Sequence, residues 1–205
     1  MDGHHLVLGE TIDYLTGDII EDTHDERYRQ KIAHLLIDSL GYAKSEITYR
    51  RQLVLSAGLQ KAAVPVDFIV TISHKMGMII KYGPGSLTTR HTPAVAIAHL
   101  VADYQVPLAV VTNGEDADIL DTTSERVMAR GLNHIPPQPD LAQLINTYSF
   151  ATVPTKKQEM AARIVYCYEI DGACPCDTTV CRLEDSDPQK DVNKDDFNKQ
   201  KPEDR

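Results

Sequence analysis

Residues 64–86, VPVDFIVTISHKMGMIIKYGPGS, constrain the fold more than any other stretch. Residues 66–73 form an apolar, β-branched run with one acid near its start, Asp67. His74-Lys75-Met76-Gly77 reads as a polar turn closed by glycine, and residues 78–82 as a second apolar run carrying one base, Lys81. Two short runs of this kind around a glycine turn predict a β-hairpin. A charged group inside a buried strand is costly unless it is paired or bound to a metal. One carboxylate and one ammonium therefore mark this hairpin as the place where chemistry is expected.

The flanking sequence supplies the layers. Asp22 or Thr23 can cap a helix that starts near residue 24, with Asp25 and Glu26 in its first turn, where the helix dipole favours anions. Ile32, Leu35, Leu36 and Leu40 form its apolar stripe and Gly41 stops it. Residues 47–55 predict a strand that carries Arg50 and Arg51. Thr92-Pro93 opens a helix over residues 94–104, and residues 107–112, PLAVVT, predict a buried strand ending in Asn113-Gly114. Residues 118–121 and 126–129 predict another hairpin, and residues 141–148 and 155–167 two further helices. The order helix, strand, strand, strand, helix, strand predicts an α/β fold: a mixed sheet with one helix on each face. The strand at 107 is expected to lie parallel to an earlier one after a right-handed crossover. The expected units are an N-terminal arm (1–20), the sheet domain (21–134), a helical extension with the cysteines (135–183) and a disordered acidic and polar tail (184–205).

The net charge of −9 conceals a strong asymmetry: residues 27–90 hold ten Lys or Arg against three acids. A basic segment within an acidic chain suits phosphate binding through Arg27, Arg50, Arg51 and Arg90. It equally suits a solvated helix face. No apolar run is long enough to cross a membrane, and the first residues lack the pattern of a signal peptide. A cytoplasmic, bacterial-type protein without membrane contact is expected.

Glu26 or Asp25 from the helix, Asp67 from one strand and Lys81 from its partner make a set suited to Mg²⁺-assisted phosphodiester hydrolysis. The acids hold the metal, and the lysine orients the nucleophile or neutralises developing charge. The bland alternative is an acid satisfied by backbone amides and a lysine that pairs with it. Four cysteines, Cys167, Cys174, Cys176 and Cys181, fall within fifteen residues. They could hold Zn²⁺ or an iron–sulfur cluster, although their spacing lacks the paired C-x2-C knuckles of zinc ribbons.

The series Asp25-Glu26-Arg27-Tyr28-Arg29-Gln30, Leu40-Gly41-Tyr42, Val66-Asp67, Ile79-Ile80-Lys81 and Thr112-Asn113-Gly114 resembles the N-terminal nuclease domain of type I restriction enzyme R subunits (HsdR) over residues 20–130. That family is a branch of the PD-(D/E)xK nuclease superfamily, with a restriction-endonuclease-like mixed sheet flanked by helices. The resemblance implies a Mg²⁺- or Mn²⁺-dependent DNA endonuclease in which Glu26 and Asp67 hold the metal, Lys81 is the catalytic lysine and Gln30 faces the same site. It covers the nuclease module without a helicase motor, and no Walker A motif occurs. One position departs from the family: the acid expected two residues before the lysine is Ile79, which cannot ligate a metal. Glu46 and Asp103, the nearest other acids by predicted layout, do not obviously replace it. The alternatives are therefore an inactive nuclease-fold module that binds DNA or a protein partner, with a homodimer compatible, and a metal-binding or redox-sensing adaptor centred on the cysteines.

Overall fold

A computed structural model describes residues 6–171 and the strand at residues 181–183. Cys174, Cys176 and the tail from residue 184 lie outside the described residues. The chain opens with a two-stranded antiparallel hairpin, β1 (Val7–Ile12) and β2 (Ile19–Thr23). Helix α1 (His24–His34) follows at once, capped by Thr23, whose side chain accepts the Glu26 amide. The helix does not run regularly to Leu40. It widens into a π-type turn, Leu35–Ser39, which leaves Leu36 buried.

Next come the long antiparallel strands β3 (Ile47–Ala57) and β4 (Gln60–Ile72), then β5 (Lys75–Tyr82). The β4–β5 turn lies earlier than the glycine suggests. Ser73 and His74 both adopt left-handed backbone, with φ of 48° and 64°, the conformation of a two-residue type I′ turn that matches strand twist. Gly77 is therefore inside β5, and its role is steric: a Cβ there would stand 2.6 Å from Ile145.

Helix α2 spans His91–Ala98, starting one residue before Thr92-Pro93 and ending well before residue 104. It carries the chain across to β6 (Leu108–Thr112), which pairs with β5 in parallel. Strands β7 (Ala117–Asp121) and β8 (Arg126–Arg130) extend the sheet, and helices α3 (Gln138–Thr147) and α4 (Thr155–Val165) return across it. The last described strand, β9 (Cys181–Leu183), pairs with residues 61–63 of β4. Among the described residues the result is a seven-stranded mixed sheet in the order β3-β4-β5-β6-β7-β8, with β9 beside β4. No helix among the described residues is long and apolar enough to span a membrane.

Two apolar clusters fill the two sides of the sheet. Helices α2 and α4 cover one, with Ile79, Ala109 and Val111 beneath them. Helix α1, its π-type turn and α3 cover the other, over Phe68, Met78, Ile80 and Val110. Period-two alternation in β5 and β6 divides adjacent residues between these clusters. In β4 the alternation breaks. Val66 and Ile69 belong to the first cluster and Phe68 to the second, so the strand changes phase at Asp67.

His99, buried at the end of α2, sets its Nε2 3.3 Å from the Thr122 carbonyl oxygen. Burial and the nearby Lys157 charge hold its pKa below the ordinary 6.5, outweighing the Thr122 hydrogen bond and Glu125. The unfolded chain therefore takes up this proton more readily than the folded one. Stability is complete above 6.5 and is lost as pH falls through the folded value. Thermal unfolding from roughly pH 7.5 to pH 5 should show a steeper loss in the native chain than in His99→Gln. Equal slopes would mean that another group carries the acid sensitivity.

Candidate functional site

The site lies where β4 and β5 part. Their ladder pairs Phe68 with Ile80, and no pairing is registered beyond it at Asp67 and Lys81. Side chains bridge the fork instead. Asp67 Oδ2 accepts the Tyr82 amide at 2.9 Å, and Lys81 Nζ donates to the Pro65 carbonyl at 2.7 Å. Lys81 Nζ also stands 3.8 Å from Asp67 Oδ2. Both residues are buried, at 4% exposure for Asp67 and 7% for Lys81. Across β3 the residue opposite Asp67 is Arg50, whose φ of 48° interrupts the β3–β4 register between Tyr49 and Arg51.

Glu26 enters from the α1 side. The residue is 3% exposed, and its carboxylate accepts from Tyr49 OH at 2.7 Å, Gln30 Nε2 at 2.9 Å and the Arg50 guanidinium. Arg29, one turn along the helix, reaches both acids. Its Nε donates to Asp67 Oδ1 at 2.8 Å, and its Nη1 lies 3.8 Å from Glu26 Oε2. Burial opposes the Arg29 charge, but the Asp67 carboxylate more than offsets this and its pKa is raised. Burial pushes the Tyr49 phenol well up, so it stays a neutral donor to Glu26. Tyr82 is raised by burial and by its hydrogen bond to Asp25, and its ring stacks under the Arg29 guanidinium at 5.0 Å.

Asp67 and Lys81 are thus brought together, while Arg29 stands between Glu26 and Asp67. Gln30 is turned from the fork: besides Glu26 it donates to Asp13 Oδ2 at 2.9 Å and accepts the Tyr14 amide at 2.7 Å, tying down the loop between β1 and β2. The arginines read as a basic surface are dispersed. Arg27 is paired with Asp22 at 2.7 Å, Arg50 with Glu26, and Arg51 is exposed beside the Met76 sulfur. Arg90 lies over Gly83 and donates to the Pro84 carbonyl at 3.0 Å. Asn113 and Gly114 form the turn after β6, where Asn113 Oδ1 accepts the Glu115 and Asp116 amides and the Tyr28 ring packs against Gly114.

Ile79 is fully buried, in the cluster beneath α2 and α4. Glu46 is spent on the Ala43 amide and Gln138, and Asp103 is exposed on the loop after α2. Sequence reasoning passed over a different acid. Glu169, in a π-type turn after α4 (Tyr166–Asp171), places Oε2 3.3 Å from Lys81 Nζ. A signal existed: Ala162, Val165, Tyr166 and Ile170 form an inward stripe, and Glu169 interrupts it at helical spacing. Arg29 was similarly legible as the i+3 neighbour of Glu26.

The family model described as the type I restriction enzyme R protein N terminus matches residues 24–136, more than half of the chain. The chain belongs to this family. The match begins with the first residue of α1 and takes in the whole β3–β8 sheet, so Glu26, Asp67 and Lys81 fall inside it. Glu169, α3 and α4 fall outside it. No curated protein and no solved structure matches the chain.

Membership of the restriction enzyme R family raises the question of a metal. Among the described residues no three His, Cys, Asp or Glu side chains group to hold one. Mg²⁺ needs fewer, commonly one or two carboxylates together with water and substrate phosphate. Asp67 fits that demand, since its Oδ2 has a second acceptor direction beyond the Tyr82 amide. Glu26 and Asp67 do not form a common pair as they stand, because the Arg29 side chain bridges them. Of the cysteines, Cys167 is an exposed free thiol in the turn that carries Glu169.

Proposed function

We propose that this R-subunit-like domain hydrolyses phosphodiester bonds of DNA with Mg²⁺ or Mn²⁺. The observation that carries the reading is the buried Asp67–Lys81 pair at the fork of β4 and β5, 3.8 Å apart, in a chain of this family. Asp67 would hold the cation, which when bound supplies charge neutralisation at the phosphate and a more acidic water. The Lys81 side chain lies in a setting that water screens poorly, where it can act on a phosphate oxygen. Arg29 fixes the Asp67 carboxylate from the α1 side and holds it at the fork. Glu26 acts one step back, orienting Arg29 and Arg50.

A second reading is favoured by Ile79, a buried apolar side chain that stands where the family motif has its acid on the strand that carries Lys81. On that reading the fold binds DNA, or a protein partner, without cutting. Supercoiled and linear DNA incubated with the protein in Mg²⁺ and in Mn²⁺ separate the two. The hydrolytic reading expects nicking that slows about tenfold or more in Lys81→Met. Absence of cutting, with DNA affinity that falls steeply as salt rises, would replace it with the binding reading.

A further inference from the structure

The lysine at the fork is faced by more than the family motif provides. Three oxygens converge on Lys81 Nζ: the Pro65 carbonyl at 2.7 Å, Glu169 Oε2 at 3.3 Å and Asp67 Oδ2 at 3.8 Å. Asp67 comes from β4 and Glu169 from the turn that follows α4. The two acids approach from separate elements and share one cationic neighbour. The Glu169 side chain is 16% exposed, which leaves the point of convergence mostly shielded from solvent.

The geometry follows from the sheet. Lys81 lies two residues beyond Ile79, and by strand alternation it shares the face of β5 that Ile79 presents to α2 and α4. An acid at position 79 would serve that face. Helix α4 covers the same face, with Ala161 and Val165 in the cluster that holds Ile79, and Tyr166 and Ile170 continue the contact. The π-type turn carries Glu169 between them. Such turns recur at functional sites because they shift side-chain direction within a helix. Isoleucine at 79 and an inward glutamate at 169 thus stand on one side of one sheet.

We propose that Glu169 takes the place of the acid missing at position 79 and forms, with Asp67, the carboxylate pair that binds the divalent cation. The inference rests on the hydrolytic reading above. It also assigns a function to the C-terminal helix, which lies beyond the family-matched residues: it completes the site. The ligand class is a hard, oxygen-seeking divalent cation, for which two carboxylates are suitable donors.

The test uses the full chain and Mn²⁺ alone as probe, with free ion followed by electron paramagnetic resonance, alongside DNA cutting. The native protein should bind Mn²⁺, and Asp67→Asn should weaken that binding. Glu169→Gln, which keeps shape and can still accept from Lys81, should weaken it about tenfold or more and slow cutting in parallel, at nearly native melting temperature. Native Mn²⁺ affinity and cutting in Glu169→Gln, with both lost in Asp67→Asn, would overturn the inference and leave hydrolysis standing. Glu169 would then be only a salt-bridge partner of Lys81. A native protein that neither binds Mn²⁺ nor cuts would overturn both. Should Glu169→Gln fail to fold, Glu169→Asp keeps the charge and withdraws it by one methylene. Intermediate Mn²⁺ affinity supports the inference and native affinity counts against it.

Discussion

Asp67→Asn should reduce DNA cutting by about 10²- to 10³-fold while leaving the chain folded. Three contacts define what is lost. Asp67 Oδ1 accepts from Arg29, Oδ2 accepts the Tyr82 amide, and Lys81 stands beyond Oδ2. Asparagine offers one acceptor oxygen in the same volume, so either the Arg29 or the Tyr82 bond survives. The charge that would hold a cation and balance Lys81 does not. Circular dichroism and thermal unfolding establish that the variant is folded, and a nicking assay reads the effect. Native-rate cutting by a folded Asp67→Asn protein would remove the fork of β4 and β5 from consideration as the active site.

Glu26→Ala should act differently, on stability rather than directly on chemistry. Tyr49, Gln30, Arg50 and Arg29 all approach the Glu26 carboxylate, which is almost wholly buried. Truncation leaves Tyr49 and Arg50 without this acceptor, while Arg29 keeps its bond to Asp67. Removing one partner from a buried charge network costs about 3–5 kcal/mol. In a domain of this size that corresponds to a fall in melting temperature of roughly 10 °C. Arg50 sharpens the expectation, because its left-handed backbone is uncommon for a residue with a Cβ and must be stabilised by its surroundings. Glu26→Gln retains an acceptor for Tyr49 and should be milder. A Glu26→Ala protein with native melting temperature and lost Mn²⁺ binding would instead make Glu26 a metal ligand, as the family resemblance implies.

The contrast between these residues shows how far the sequence could be read. Asp67 and Lys81 were visible because each is a lone charge in an apolar run, whereas their meeting at the fork, beyond the last ladder pair, was not. Thr23 was legible as a cap, and the parallel β5–β6 pair followed from the helix that must carry the chain across the sheet. These features depend on neighbours a few residues apart, where backbone geometry is periodic. The turn was misplaced because glycine at 77 suggested flexibility. The structure uses Ser73 and His74 to reverse the chain and reserves Gly77 for contact with Ile145.

The composition of the site was decided at longer range. Position 79 lacks an acid, and that much the sequence determined alone. Which carboxylate stands nearest Lys81 could not be read from spacing, because Glu169 is brought to it by packing of α4 across the sheet. Its signal, an acid interrupting an inward stripe, says that the side chain needs a partner but not where the partner lies. The same holds for Arg29. Helical spacing puts it beside Glu26, but only the docking of α1 onto β3 and β4 inserts it between Glu26 and Asp67. Local periodicity fixes which face of an element a side chain occupies. Burial of two opposed apolar faces fixes which elements meet, and a buried charge is then satisfied by whichever group the packing brings within reach.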